Sequence, residues 1–277
     1  MRDAHEAEHS LRNGDPARAL QLLQESVRLN PGDAKLRIFL FQLLLVLGQW
    51  ERAQVQLGVA AELDASALPM AQMYGDAIRC EAQRARVFSG SSAPMVFGQP
   101  DEWLALLIES LLQWGRGQPE QAEQLREMAF ERAPTSAGSA DGQPFTWIAD
   151  ADQRLGPVME AIINGKYYWV PFCHLSEIVL EAPEDLRDVV WMPAHFTFSN
   201  GGEAVGLIPA RYPGSETSSD SGVLLGRMTD WRQVSPGLFH GLGQRMLATD
   251  AGDLPLMDIR RIMLGAPGTA GSDGGMG

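Results

Sequence analysis

Two cysteines, Cys80 and Cys173, are all that this 277-residue chain holds. They form no CxxC pair, and a chain of this length needs no disulfide framework, so both are expected to be buried thiols in a reducing compartment. Basic charge is also in short supply. Lys and Arg number 22 against 35 Asp and Glu, giving a formal net charge of −13 and a pI near 4.8. Nucleic acid and anionic membrane surfaces are bound by basic faces, so the balance argues against both as partners. Long apolar runs are missing. The longest, Ile38 to Leu47, is interrupted by Gln42, whereas a bilayer span needs about 20 apolar residues. The opening MRDAHEAEHS is polar and acidic, unlike the basic and then apolar start of a signal peptide, so a cytoplasmic location is expected. There is no G-x-S-x-G elbow, Walker A loop, HExxH pair or Rossmann fingerprint, and no cofactor is expected.

What is present is ordinary globular material, with 45% hydrophobic and 21% charged residues and enough length for two domains. The first half reads as a helical repeat. Asp15-Pro16 is an N-cap followed by proline at the first helical position, and the helix runs through Leu20, Leu23 and Val27 to Asn30-Pro31. Asp33 caps a second helix, apolar on nearly every side from Leu36 to Leu47 and stopped by Gly48. Gly14, Ala19 and Leu29 recur as Gly48, Ala53 and Leu63, each 34 positions on. That is the tetratricopeptide period, with small residues where paired helices approach closely. A third copy stands at Gly117, Ala122 and Ala133-Pro134. Further helices are expected at about 66–88 and 101–114, with a Gly/Ser/Pro-rich loop between them. The helix from Leu36 to Leu47 is either core or the wall of a partner groove, and both can hold on different faces. So short an array cannot bury its own ends, so a second domain should pack on it.

The second half begins after PTSAGSADGQP, residues 134–144, which reads as a linker. Gly156-Pro157 is expected to start a short helix, with Val158/Ile162 and Met159/Ile163 as apolar i,i+4 pairs and Asn164-Gly165 as its stop. Lys166 to Phe172, KYYWVPF, reads as a strand. Leu186 to Met192 is another, and His195 to Phe198 with Ala204 to Ile208 form a hairpin about SNGG. Later strands are expected at Gly222 to Met228, Arg245 to Thr249 and Leu256 to Met263. The Gly/Ser tail, 265–277, has little to bury and is expected to be disordered.

The candidate chemistry is sparse. Asp150 and Asp152 with Glu160 could hold a metal or act as a hydrolase's acid and base. No further oxygen ligands stand at a recognisable spacing, so caps and an ion pair to Arg154 are the expected use. Cys173-His174, with His195, lacks the spacing of a thiol nucleophile. Tyr167, Tyr168 and Trp169 are too many aromatics for one face of a strand. One side must meet either the helical array or a partner, and the array is favoured.

The second half resembles the ImpE family, also known as SciE-type or TagJ proteins, accessory proteins of bacterial type VI secretion systems. The resemblance is carried by FTWIADADQRLGP from Phe145, NGKYYWVP from Asn164, LRDVVW from Leu186 and IPARYPGSE from Ile208. The residues of these motifs singled out as structural signature or partner contacts are Trp147, Asp150, Asp152, Arg154, Tyr167, Tyr168, Trp169, Arg187, Asp188, Trp191, Arg211 and Tyr212. The resemblance implies a non-enzymatic cytoplasmic adaptor that binds the N-terminal helix of the small contractile-sheath subunit, with the AAA+ sheath-disassembly unfoldase as a further partner. A carboxylate hydrolase using Asp150, Asp152 and Glu160, or a general repeat scaffold, are the alternatives. The fold expected is therefore multidomain α+β: a TPR-like α-helical array at 1–133 and an α+β, mainly antiparallel β domain at 145–264.

Overall fold

A computed structural model describes residues 2–265 of the chain. Seven helices come first: α1 Arg2–Arg12, α2 Pro16–Leu29, α3 Ala34–Val46, α4 Trp50–Leu63, α5 Leu68–Phe88, α6 Glu102–Gly115 and α7 Pro119–Arg132. The local code placed most of them. Asp15 Oδ1 accepts the Arg18 amide at 2.9 Å to cap α2, and Asp33 caps α3 through the Lys35 and Leu36 amides. Ala19 and Ala53, the small residues of the repeat, are fully buried. On α3, Leu40, Phe41 and Leu43 to Val46 are core, while Ile38 and Phe39 line an open groove. No helix among the described residues is long and apolar enough to cross a membrane.

The remainder is mainly antiparallel β structure: β1 Gly138–Ala140, β2 Gln143–Phe145, β3 Ile148–Asp150, β4 Val158–Ile163, β5 Lys166–Pro171, β6 Leu175–Leu180, β7 Trp191–Phe198 and β8 Glu203–Pro209. After the one-turn helix α8, Ser221–Leu224, come β9 Thr229–Ser235, β10 Leu238–Gly243, β11 Met246–Thr249, β12 Gly252–Pro255 and β13 Arg261–Leu264. Eight strands form one sheet in the order β2-β1-β13-β6-β7-β8-β4-β5; β12-β11-β3 and the hairpin β9–β10 stand apart from it.

Several expectations are corrected. Residues 158–163 are a strand, not a helix. All six are buried, with Val158 and Ile162 in the core shared with the helices and Met159, Ala161 and Ile163 in the core on the other face of the sheet. A strand buried on both faces is apolar throughout, so i,i+4 pairs arise without a helix. Asn164-Gly165 is the turn of the β4–β5 hairpin, both residues at positive φ (51° and 70°), as a two-residue type I′ turn requires.

Residues 134–144 are not a free linker. They carry β1 and most of β2, joined at Asp141-Gly142, and β1 pairs with β13 from Gly138↔Leu264 to Ala140↔Ile262. Turn-rich composition marks a hairpin as well as a linker, and only the distant β13 distinguishes them. Leu186–Val189 is a 3-10 turn, held by Asp188 Oδ2 accepting the Glu184 and Asp185 amides, and the strand begins at Trp191. In 222–228 the expected strand gives way to α8, capped by Asp220. Its exposed successor β9 shows no apolar alternation, and neither β9 nor β10 was anticipated. Leu256 to Met263 is not one strand: β11 turns into β12, Leu256–Asp258 is a 3-10 turn, and β13 begins only at Arg261 and pairs into the large sheet. Cys80 is buried, but Cys173 is only half-buried. Of the tail 265–277, all beyond Gly265 lies outside the described residues.

The two halves share a core. Tyr167, Trp169, Trp191 and Leu207 of the sheet belong to the same apolar cluster as Leu44, Leu57, Tyr74 and Leu107 of the array. Trp191 stacks obliquely between Trp50 and Tyr74, with ring centroids 5.9 and 6.1 Å away. Tyr167 and Trp169 thus face the array, as the aromatic count suggested.

Candidate functional site

Along α5, Arg84 falls in the apolar stripe of Ala77, Cys80 and Val87, so the helix carries a guanidinium into the core against β4. There it forms a bidentate pair with Glu160, Nε to Oε1 at 2.7 Å and Nη2 to Oε2 at 3.0 Å, and Nη2 also donates to the Arg211 carbonyl at 2.7 Å. Glu160 is fully buried. It accepts from the Tyr167 hydroxyl and from Arg245, while Trp169 Nε1 donates to the Tyr167 oxygen at 2.8 Å. Arg245, also fully buried, donates Nε to the Pro209 carbonyl at 2.8 Å and Nη1 to Asp150. Asp150 Oδ1 accepts the Tyr212 hydroxyl at 3.0 Å and the Asp152 amide at 2.9 Å. Asp152 then holds Arg154 through its Nε, at 2.9 Å, and the Gly241 amide at 2.8 Å. One connected chain of charges thereby ties α5, β3, β4, β5 and the strands after β8.

The electrostatics follow from this pairing. Burial opposes ionisation of Glu160, but Arg84 and Arg245 outweigh it and bring the carboxyl down to about 2. Burial pushes Asp150 up to about 6 against the opposing pull of Arg245. Arg84 and Arg245 are driven further from deprotonation by the carboxylates, despite burial. Two guanidiniums face two carboxylates at the centre, so the charge balances and every carboxylate oxygen there has a donor. Asp152 is paired with Arg154, as expected; Asp150 and Glu160 go to arginines that the sequence did not point to. Arg245, which the sequence offered only as the first residue of an expected strand, gave no signal of burial, while Arg84 could have been suspected as a lone charge on an apolar stripe. The convergence in an open cleft that a carboxylate hydrolase needs is not formed by Asp150, Asp152 and Glu160.

Most of the other singled-out residues serve the same joint. Trp191 Nε1 donates to Glu81 of α5 at 2.8 Å. Arg211 Nη1 donates to the Val46 carbonyl at the end of α3. Arg187 lies 5.0 Å over the Tyr74 ring and pairs with Asp185, and Asp188 closes its own turn. Tyr168 stacks on Phe97 of the 89–101 loop at 4.3 Å and 6°. Trp147 stands apart, half in solvent beside a 320 Å³ apolar cleft that Phe130 and Pro157 also line.

A groove of about 800 Å³ opens between α1, α3 and the 3-10 turn at Leu186. Leu11, Leu36, Ile38, Phe39 and Leu186 supply its apolar surface. Glu8, Asp33, Glu184 and Asp185 stand on the walls, with Arg12, Lys35 and Arg227 among them. Arg227 is engaged, donating to the Leu11 and Arg12 carbonyls at the end of α1.

Comparison with known proteins places this architecture. The family model described as ImpE protein matches residues 142–263, and a tetratricopeptide repeat model matches residues 10–73. The type VI secretion system accessory component TagJ of Pseudomonas aeruginosa is 52% identical over 256 residues, 92% of this chain and 90% of its own length. The chain belongs to the TagJ family of type VI secretion accessory components. A crystal structure of protein VPA1032 from Vibrio parahaemolyticus, 27% identical, superposes with a TM-score of 0.84 over 94% of this chain and 98% of that one. The joint between array and sheet therefore belongs to a fold shared across the full length. Within it, the ImpE match spans Asp150, Asp152 and Glu160, whereas Arg84 on α5 lies outside both matched segments.

Proposed function

We propose that this protein is a non-enzymatic cytoplasmic adaptor of a type VI secretion system. It binds the amphipathic N-terminal helix of the small contractile-sheath subunit and so influences sheath assembly or unfoldase-driven disassembly. The observation that carries this reading is the near-full-length similarity to a secretion-system accessory component. The geometry is compatible with it: the buried charges are consumed in holding the halves together, which leaves surfaces rather than a reaction centre to act.

The groove between α1 and α3 is the docking place that fits best. Its apolar surface suits the i, i+3/i+4, i+7 stripe of a helix, and the carboxylates on its walls suit basic residues flanking that stripe. Ordering a free peptide offsets part of the gain, so a dissociation constant on the order of micromolar is expected. Titrating a labelled peptide of the sheath subunit's N-terminal helix tests this. Saturable binding should weaken at least tenfold in Phe39→Ser. No saturation at tens of micromolar, or binding that survives replacement of the peptide's apolar face by Ser, rejects the mechanism.

A further inference from the structure

Cys173 and His174, set aside in the sequence as a weak nucleophile pair, meet a third side chain that is distant in sequence. Asp101 comes from the array side, immediately before α6, and one donor atom from each of the three residues lies within 4.8 Å of the other two. His174 Nε2 is 3.1 Å from Asp101 Oδ2. The geometry points to a transition-metal site of the zinc class, built by Asp101, Cys173 and His174.

The donor chemistry decides the class. One sulfur, one imidazole nitrogen and one carboxylate oxygen form a mixed set that suits Zn²⁺ or Co²⁺, whereas Mg²⁺ and Ca²⁺ take oxygen alone. Tetrahedral zinc, with bonds of ~2.0–2.3 Å, places its donors ~3.3–3.6 Å apart. The imidazole–carboxylate pair would open by a few tenths of an ångström, and the thiol would close by at most about 1.5 Å. Three protein donors leave a fourth position to solvent, which has access because the Asp101 and His174 side chains are 48% and 39% exposed.

The scaffold around the donors is fixed. Phe172 and Leu175, on either side of the pair, are 0% and 3% exposed. The Phe172 carbonyl accepts the Leu175 amide, and the His174 carbonyl accepts the Ser199 amide at 2.9 Å. Asp101 occupies the N-cap position of α6, where an aspartate ordinarily accepts an amide of the first turn. It makes no such bond, and its carboxylate meets His174 instead. The hydrogen bond within the trio runs between imidazole and carboxylate, not to the thiol, so the arrangement is not a thiol–base relay. Its consequence is mechanical. The loop of residues 89–101 crosses β5, where the Trp169 amide donates to the Met95 carbonyl at 2.9 Å and Phe97 stacks on Tyr168. A bound ion would clamp the end of that loop to the sheet.

The test uses the full chain without an affinity tag, stripped with a chelating resin under reducing conditions and titrated with Co²⁺. The expected result is a sulfur-to-cobalt charge-transfer band with the visible bands of a four-coordinate ion, saturating at one equivalent and abolished by Zn²⁺. Cys173→Ser should remove the charge-transfer band and Cys80→Ser should leave it. Asp101→Asn and His174→Gln should each weaken Co²⁺ binding at least tenfold while circular dichroism shows the fold retained. Zn²⁺ at a small excess should raise the melting temperature of the wild type but not of Cys173→Ser. No charge-transfer band, a band that persists in Cys173→Ser, or unchanged affinity in both Asp101→Asn and His174→Gln would overturn the assignment.

Discussion

Replacing Glu160 with Gln tests the buried network at its centre. The substitution keeps the shape but leaves Arg84 and Arg245 without their shared carboxylate, in a site fully closed to solvent. The drop of the carboxyl from an ordinary 4.5 to about 2 corresponds to roughly 3 kcal/mol of preference for the ionised form. That agrees with the ~3–5 kcal/mol expected when one partner of a buried ion pair is removed. At roughly 2–4 °C per kcal/mol, Glu160→Gln should melt roughly 6–12 °C lower at neutral pH. The sign of the pH dependence is fixed by the same shift. A depressed folded value means that the contribution is complete above the unfolded 4.5 and is lost as pH falls toward about 2. The gap between wild type and variant in urea unfolding should therefore narrow as pH falls from about 5 toward 3. A gap under about 1 kcal/mol at pH 7, or one that does not narrow between pH 5 and about 3, would refute the assignment of Glu160 as an ionised centre.

Two further outcomes follow from the fold. Gly165→Ala places a side chain at φ +70°, with its Cβ 2.8 Å from the Asp76 carboxylate; it should lower stability by about 1–3 kcal/mol, measured by urea unfolding, and an unchanged midpoint would contradict the β4–β5 turn described here. Residues 1–133 alone lack Tyr167, Trp169 and Trp191 from the shared core, so they should melt less cooperatively and be less soluble than the whole chain in calorimetry; a sharp, unaltered transition would mean the array does not depend on the sheet.

The sequence by itself determined whatever is encoded within a turn or a repeat. Asp15 and Asp33 capped the helices they precede, and the 34-residue recurrence of Gly14 and Ala19 announced the paired helices. The strand at Lys166 to Pro171 and the hairpin about SNGG were legible from their aromatic and turn residues. Family resemblance was carried by the same local motifs. Tertiary structure alone decided the rest, because the information lies in partners far along the chain. Val158 to Ile163 satisfies helical spacing, and it became a strand because β5 and β8 offer it ladders and both of its faces are buried. Residues 138–144 have a linker's composition and became sheet because β13 returns to pair with β1. Asp150 and Glu160 were read as carboxylates of unknown use. Their roles rest on Arg245 and, for Glu160, on Arg84, 95 and 76 positions away respectively for the longest and shortest of those pairings. Ionic partners are set by where buried charges can be neutralised in the folded core, a constraint that no local spacing records.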